Sequence, residues 1–318
     1  MSLKALVLGC TGQDGSYMTK YLLAKGYEVI GSSRSNKKNH YNHKKLGIDS
    51  LFSIKQINLL NFNEIENLLS HEKPDLIYNF SAQSSVGKSF DKPIETLQSI
   101  SLTTINILEV CKKINFKGAI FFSGSSEIYG ETLSGAKIDS EIKPQSPYAI
   151  AKVESFLLVK HYRELYGLRA VTGVLFPHES PLRNSDFITQ KIISGAVNSL
   201  KNKNYKLKIG NLDIERDWGW AEEYMTAIYL MTNTDNYKDQ IICTGQTTKL
   251  KDFIQLTFNQ LGLRWENHII SEQSLFRKRD IKRSFGDPSP IYNELNWKPN
   301  IKIEGLIERL LTNKLNNS

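Results

Sequence analysis

Four side chains have the types and spacing to work on one substrate carbon. Tyr148 and Lys152 stand four apart in SPYAIAK at the start of a predicted helix, so both face the same way. An ammonium beside a phenol stabilises the phenolate and lowers the phenol pKa, which makes Tyr148 a candidate general base. Ser125 and Glu127 stand two apart in SGSSEIYG as a strand runs out, so they share a face as well. Taken singly, each has a plainer reading: a Y-x-x-x-K pair is commonly a surface contact, and Glu127 a solvated loop carboxylate. Together, and in this order behind a glycine turn, they describe a proton-transfer site.

That turn is G-x-x-G-x-x-G, with Gly9, Gly12 and Gly15 directly after an apolar strand and directly before a helix. The first glycine permits the turn, the second lets the backbone approach a pyrophosphate, and the third allows the helix to pack closely on the strand. The helix N-terminus adds N–H groups and positive dipole. Thr11, Gln13 and Asp14 lie within the same turn and join it as candidate cofactor contacts. The second strand ends EVIGSSR, where an NAD-selective site offers a carboxylate to the ribose. Here Arg34 can pair with a 2′-phosphate instead, so the expected cofactor is NADP. Asn58 and Leu59, at the close of the third strand, are placed to hold the adenine.

The elements that position these residues alternate between short apolar runs and amphipathic windows. KALVL, EVIGS, SIKQI, DLIYNF, GAIFFS and LRAVTGVLF read as strands, with helices at Ser16 to Lys25, Asn63 to Ser70, about Ile94 to Lys113 and about Ser146 to Tyr166. This predicts a doubly wound parallel sheet of the Rossmann type to about residue 175. Thereafter the pattern loosens into a smaller α+β substrate lobe. The expected division is 1–175 plus about 212–245 for the cofactor half, and about 176–211 plus 246–318 for the other. With 318 residues, 40% hydrophobic and 23% charged, the chain is an ordinary globular one rather than a disordered or collagen-like one. Three widely spaced cysteines, no signal-type start and no run of 18 apolar residues predict a cytoplasmic protein without a membrane partner. The net charge of +8 favours anionic partners, but the basic groups lack the aromatic interleaving of a single-strand nucleic-acid platform. The six histidines show no metal constellation, so no metal is expected.

Beyond these local signals the sequence resembles the extended short-chain dehydrogenase/reductases, and within them the GDP-mannose 4,6-dehydratase family. GCTGQDGSY, NFSAQSSVGKSFDKP, SSEIYG, SPYAIAK, HESPLRNSDFITQKI, GNLDIERDWGWAEEY and GDPSPIYNELNWKP carry the resemblance over nearly the whole chain. It implies a redox-neutral 4,6-dehydration of a GDP-hexose or GDP-heptose. Tyr148 takes the C4 hydroxyl proton with Ser125 sharing the hydrogen bond, Lys152 holds the cofactor ribose, and Glu127 removes the C5 proton as water leaves from C6. With Ser126 standing where other nucleotide-sugar dehydratases carry a second acid, Glu127 serves as both base and acid.

The resemblance further implies Arg216, Arg277 and Lys191 as diphosphate ligands, Ser84 and Glu179 as sugar contacts, and Asp280 as a base or ribose contact. It implies a homodimer through the two long helices, or a homotetramer. Three departures stand out: Pro177 replaces a substrate-binding Asn, Ser85 a His, and Leu182, Arg183 and Asn184 an RRG loop used in assembly. Two other readings remain. A reductase or epimerase of GDP-4-keto sugars would consume NADPH or invert a centre without forming the deoxy product. A non-catalytic NADP sensor or nucleic-acid binder would bind RNA or DNA tightly and salt-sensitively, without sugar turnover.

Overall fold

The computed structural model describes residues 2–35, 40–276 and 279–317. Strands β1 (Lys4–Leu8), β2 (Glu28–Ser33), β3 (Ser53–Gln56), β4 (Leu76–Asn79), β5 (Ala119–Ser123) and β6 (Arg169–Leu175) form one sheet with an edge strand, Gln240–Ile242. The order is edge strand, β6, β5, β4, β1, β2, β3, and every pair is parallel. The chain therefore reverses its direction of travel between β1 and β4. In open α/β sheets the crevice outside the carboxyl ends at such a reversal is where ligands bind.

The two faces of the sheet bury alternate residues, as a period of two requires. Ala5, Val7, Tyr78 and Phe121 pack on one side with Met18 and Leu22 of helix Gln13–Ala24. Tyr224, Met225 and Ile228 of helix Ala221–Thr232, far along the chain, complete that layer. Leu6, Leu8, Ile77 and Ile120 face the other side, against Ile107 and Leu108 of helix Thr103–Lys113 and Val159 of helix Pro147–Tyr166. Each such fully buried side chain stabilises the fold by about 1.5–3 kcal/mol.

A separate core joins Ile192 and Val197 of helix Ile188–Lys201, Phe253 and Ile254 of helix Leu250–Asn259, and Leu306 and Leu310 of helix Ile303–Asn316. Small sheets border it. One runs Thr248–Lys249, Glu215–Arg216, Arg283–Ser284, and another pairs Leu207–Ile209 with Ile269–Ser271. The helix expected from Ile94 to Lys113 is helical but not uniform. It is α-helical over Pro93–Leu97, widens to a π-turn over Gln98–Leu102, and resumes at Thr103. Ile94, Leu97 and Leu102 on this run, and Ile150 and Leu157 on Pro147–Tyr166, are exposed.

Candidate active site

Ser125 and Glu127 reach the carboxyl end of β5 through a tight turn. A Cβ on Gly124 would lie 2.7 Å from Thr172 Cγ2 and 3.0 Å from the Gly173 oxygen, so glycine lets the turn pack this closely on β6. Ser125 then caps the short 3₁₀ turn Ser126–Tyr129, its hydroxyl accepting from the Glu127 N–H at 3.3 Å. Helix Pro147–Tyr166 starts beside it, with Ser146 Oγ accepting from the Ala149 N–H at 3.1 Å and Pro147 in the first position. Tyr148 and Lys152 thus project from the first turns toward β5. Ser125, Glu127, Tyr148 and Lys152 all line one cleft of about 450 Å³ at the sheet's reversal point. A second cavity of about 540 Å³, lined by Asp75, Lys117 and Arg169 near the amino ends of the strands, contains none of them.

Burial sets the resting protonation of the pair. It pushes the Tyr148 phenol up to about 12; a hydrogen bond with Ser125 and the Arg183 charge act against it, while Glu127 and Asp14 add to it. Burial also pushes the Lys152 ammonium down to about 8, opposed by Asp14. Lys152 Nζ donates to the Ser123 carbonyl at 2.6 Å and lies 5.8 Å from the Tyr148 ring centroid. The cations and donors that lower the phenol are therefore Ser125 and Arg183, with Lys152 anchored to the strand end.

The glycine turn fits a pyrophosphate by the room it leaves. Gly9 has φ of +78°, and a Cβ there would meet the Ser81 backbone at 2.8 Å. A Cβ on Gly15 would meet the Gly9 oxygen at 2.3 Å, so helix Gln13–Ala24 packs directly on the turn. Gly12 differs. It is exposed, its nearest neighbour would be 3.5 Å from an added Cβ, and it precedes a helix with no side-chain cap. The N–H groups of that helix's first turn have no intrahelical acceptor, which suits an anion.

The side chains of Gln13 and Asp14 turn elsewhere. Gln13 Nε2 donates to Asp14 Oδ1 at 3.0 Å and to the His178 carbonyl at 3.2 Å; Ser180 Oγ donates to Gln13 Oε1 at 2.8 Å. His178 Nε2 meets Asp14 Oδ1 at 3.0 Å. Burial would raise the Asp14 carboxyl, but His178, with Gln13 and Arg183, outweighs it and brings it to about 2, and Asp14 in turn raises His178 against its own burial. The TGQDGSY and HESP segments are thus physically one unit. Thr11 is half-buried, and Arg34 is exposed just past β2. Asn58 and Leu59 follow β3 rather than closing it: Asn58 caps its own turn through Leu60 N–H, while Leu59 is a core residue whose carbonyl accepts from Asn106.

Of the substrate candidates, Ser84, Glu179, Lys191, Arg216 and Asp280 line the same cleft as the four catalytic candidates, and Arg277 lies outside the described residues. Ser84 and Lys191 are exposed at its edge. Arg216 is buried, with one guanidinium nitrogen donating to the Ile281 carbonyl at 2.7 Å. Glu179 is buried and accepts from Thr189 Oγ1 at 2.6 Å; burial raises its carboxyl, with Arg183 and Thr189 opposing.

Sequence reasoning missed Arg183. The resemblance implies only a changed assembly loop there, yet Arg183 lines this chain's own cleft, 3.7 Å above the Phe187 ring and 3.7 Å from Glu179. Its four-residue spacing from Glu179 was the available signal. Among the described residues no group of three or more His, Cys, Asp or Glu could hold a metal ion.

A seven-stranded doubly wound sheet with Ser, Tyr and Lys at its carboxyl end defines an extended short-chain dehydrogenase/reductase. Residues 6–310 match the family model for GDP-mannose 4,6 dehydratase. GDP-mannose 4,6 dehydratase 1 of Arabidopsis thaliana is 33% identical over 324 residues, covering 98% of this chain and 89% of the relative. The chain belongs to the GDP-mannose 4,6-dehydratase family, and its chemistry is that of a nucleotide-sugar hydro-lyase. Among solved structures, DesIV, a dTDP-glucose 4,6-dehydratase from Streptomyces venezuelae with NAD and TYD bound, superposes with a TM-score of 0.89 at 21% identity, covering 99% of this chain and 98% of that one. RMD from Pseudomonas aeruginosa, complexed with NADPH, gives 0.82 at 21%, covering 100% of each.

Proposed function

We propose that this protein converts a GDP-sugar, GDP-mannose or a related GDP-hexose or GDP-heptose, to its 4-keto-6-deoxy derivative, using tightly bound NADP. The observation that carries the reading is the opening of Tyr148, Ser125 and Glu127 into one cleft, since simple oxidation or epimerisation at C4 needs no carboxylate there. With its ribose held by Lys152, a bound nicotinamide cofactor would supply the acceptor for the C4 hydride and its return to C6. Tyr148 takes the C4 hydroxyl proton, assisted by Ser125, and the C4 ketone acidifies the C5 proton. Glu127 removes that proton, and hydroxide leaves C6 as water with a proton that Glu127 returns. Return of the hydride to C6 and of a solvent proton to C5, matched by the proton Tyr148 releases to solvent, leaves the loss of one water and no net oxidation.

Arg216 and Lys191, with Arg277, are proposed to hold the diphosphate, for which a planar guanidinium is well shaped. Ser84 and Glu179 are proposed as sugar contacts and Asp280 as a ribose contact. The cations lining the cleft, Arg183, Lys191, Lys208 and Arg216 among them, support an anionic occupant. Incubation with GDP-, CDP-, UDP- and dTDP-sugars, followed by the alkali-induced absorbance of 4-keto products, tests the reading. A GDP-sugar alone should react; no 4-keto product from any of the four, with NADPH consumed on a GDP-4-keto sugar, would replace it with a reductase.

NADP rather than NAD rests on Arg34, exposed just past β2 with no carboxylate beside it in SSRS. Arg34→Ala should weaken NADPH roughly 10–100-fold, the loss of a charge-assisted contact, and leave NADH unchanged. Equal losses for both, read by fluorescence titration, would remove Arg34 from the 2′-phosphate.

The core that joins helix Ala221–Thr232 to the main sheet supports residues 1–175 plus about 212–245 as the cofactor half, and about 176–211 plus 246–318 as the nucleotide-sugar half. The exposed Ile94, Leu97, Leu102, Ile150 and Leu157 support a homodimer through the two long helices, which sedimentation velocity would report. The chain is proposed to be cytoplasmic. Its three cysteines are buried free thiols, and among the described residues no helix is long and apolar enough to cross a membrane.

A further inference from the structure

The short helix Tyr41–Leu46 follows β2 and carries two side chains into the back of the glycine turn. Asn42 Nδ2 donates to the Thr11 carbonyl at 3.0 Å. His43, fully enclosed, sets Nε2 2.8 Å from the Cys10 carbonyl. A carbonyl oxygen only accepts, so the imidazole proton is on Nε2. Burial lowers the His43 pKa, which keeps the ring a neutral donor, and Phe52 packs edge-on against it at 5.0 Å between centroids. The Cys10 carbonyl also accepts from Ser16 Oγ at 2.9 Å, and the Gly9 carbonyl from the Gly12 N–H at 3.1 Å. All three carbonyl oxygens between Gly9 and Gly12 are thus held by the protein.

We propose that Asn42 and His43 are positioning residues for the dinucleotide pyrophosphate, fixing the peptide planes of the glycine turn so that no carbonyl oxygen swings toward the phosphates. In a trans peptide the C=O and the following N–H point in opposite directions. Holding the Cys10 oxygen therefore aims the Thr11 N–H away from His43. Holding the Thr11 oxygen keeps the Gly12 N–H closed on Gly9, which sets the start of helix Gln13–Ala24. A turn fixed in its binding form spares the ligand the cost of ordering it. The inference rests on the reading that a nicotinamide dinucleotide occupies this turn, and it assigns no contact between either side chain and the ligand.

The test is fluorescence titration of the full-length protein with NADPH and NADH, and calorimetric titration with ADP-ribose and GDP. His43→Phe keeps an aromatic ring against Phe52 and removes the donor. It should weaken NADPH, NADH and ADP-ribose alike by about tenfold or more, since the pyrophosphate is their common part and a buried acceptor is left unmet. GDP affinity should stay within about twofold, because none of its proposed ligands is in the glycine turn or in helix Tyr41–Leu46. His43→Gln restores an N–H near the position of Nε2 and should recover most of the loss. Asn42→Ala should show the same pattern more weakly. Unchanged dinucleotide affinity in His43→Phe, an equal loss of GDP affinity, or a Gln variant no better than Phe would each overturn the proposal. Failure of the unaltered protein to bind any dinucleotide would instead overturn the reading on which it rests.

Discussion

Tyr148→Phe is expected to lower turnover of the GDP-sugar by roughly 10²–10⁴-fold, the usual contribution of a positioned proton-transfer group. The ring stays in its buried place and only the hydroxyl goes, so the helix and cleft should survive. The lost bond with Ser125 costs about 1 kcal/mol of stability. The pH profile gives a second readout. With the phenol pushed up to about 12, phenolate is scarce at neutral pH, and its fraction grows tenfold per unit as pH rises. The log of the unaltered enzyme's rate should therefore climb with pH on the acid side, and the climb should vanish in Tyr148→Phe. Lys152 works in the opposite sense: pushed down to about 8, it is cationic below that value and neutral above it. Affinity for an anionic dinucleotide should fall as pH rises through about 8. Initial rates and fluorescence titrations between pH 6 and 9 check both, and a variant with full turnover and an unaltered profile would remove Tyr148 from the chemistry.

Glu127→Gln should abolish the water-loss step to a comparable extent, roughly 10²–10⁴-fold, while dinucleotide affinity stays within about twofold. The amide keeps the shape of the side chain and the Ser125 cap, which uses the Glu127 backbone N–H rather than its carboxylate. Only the ability to accept the C5 proton is lost. In heavy water the unaltered enzyme should place deuterium at C5 of its product, and the variant should place none. Product formation at an undiminished rate would assign removal of the C5 proton to another base, of which Glu179, a carboxylate buried in the same cleft with its pKa raised, is the nearest in character.

The parts of this site that a sequence discloses are those fixed by neighbours along the chain. Tyr148 and Lys152 are one helical turn apart, Ser125 and Glu127 two residues apart, Gly9 marks a conformation that few other residues adopt, and Gly15 a close packing that excludes a side chain. The main sheet was legible because its strands are apolar runs separated by amphipathic helices. What escaped depends on contacts between distant residues. His178 and Asp14 are 164 positions apart, Gln13 and Ser180 167, and nothing local announces that each completes the other. His43 reads as part of a polar basic loop until Cys10, 33 residues earlier, is seen beneath it. The two-residue strands Glu215–Arg216 and Thr248–Lys249 are too short to display any periodicity. Arg183 is visible as a residue but not as part of the cleft, because its place there goes with contacts to Phe187 and Glu179 that no local pattern displays.

The hydrogen-bonded set Gln13, Asp14, His178 and Ser180 has a consequence for engineering. Because it rivets the glycine turn to the His178–Ser180 segment of the cleft wall, the two segments are not interchangeable parts. A chimera grafting another dehydratase's sugar half onto this turn would seat correctly only if the graft brought its own matched imidazole and hydroxyl.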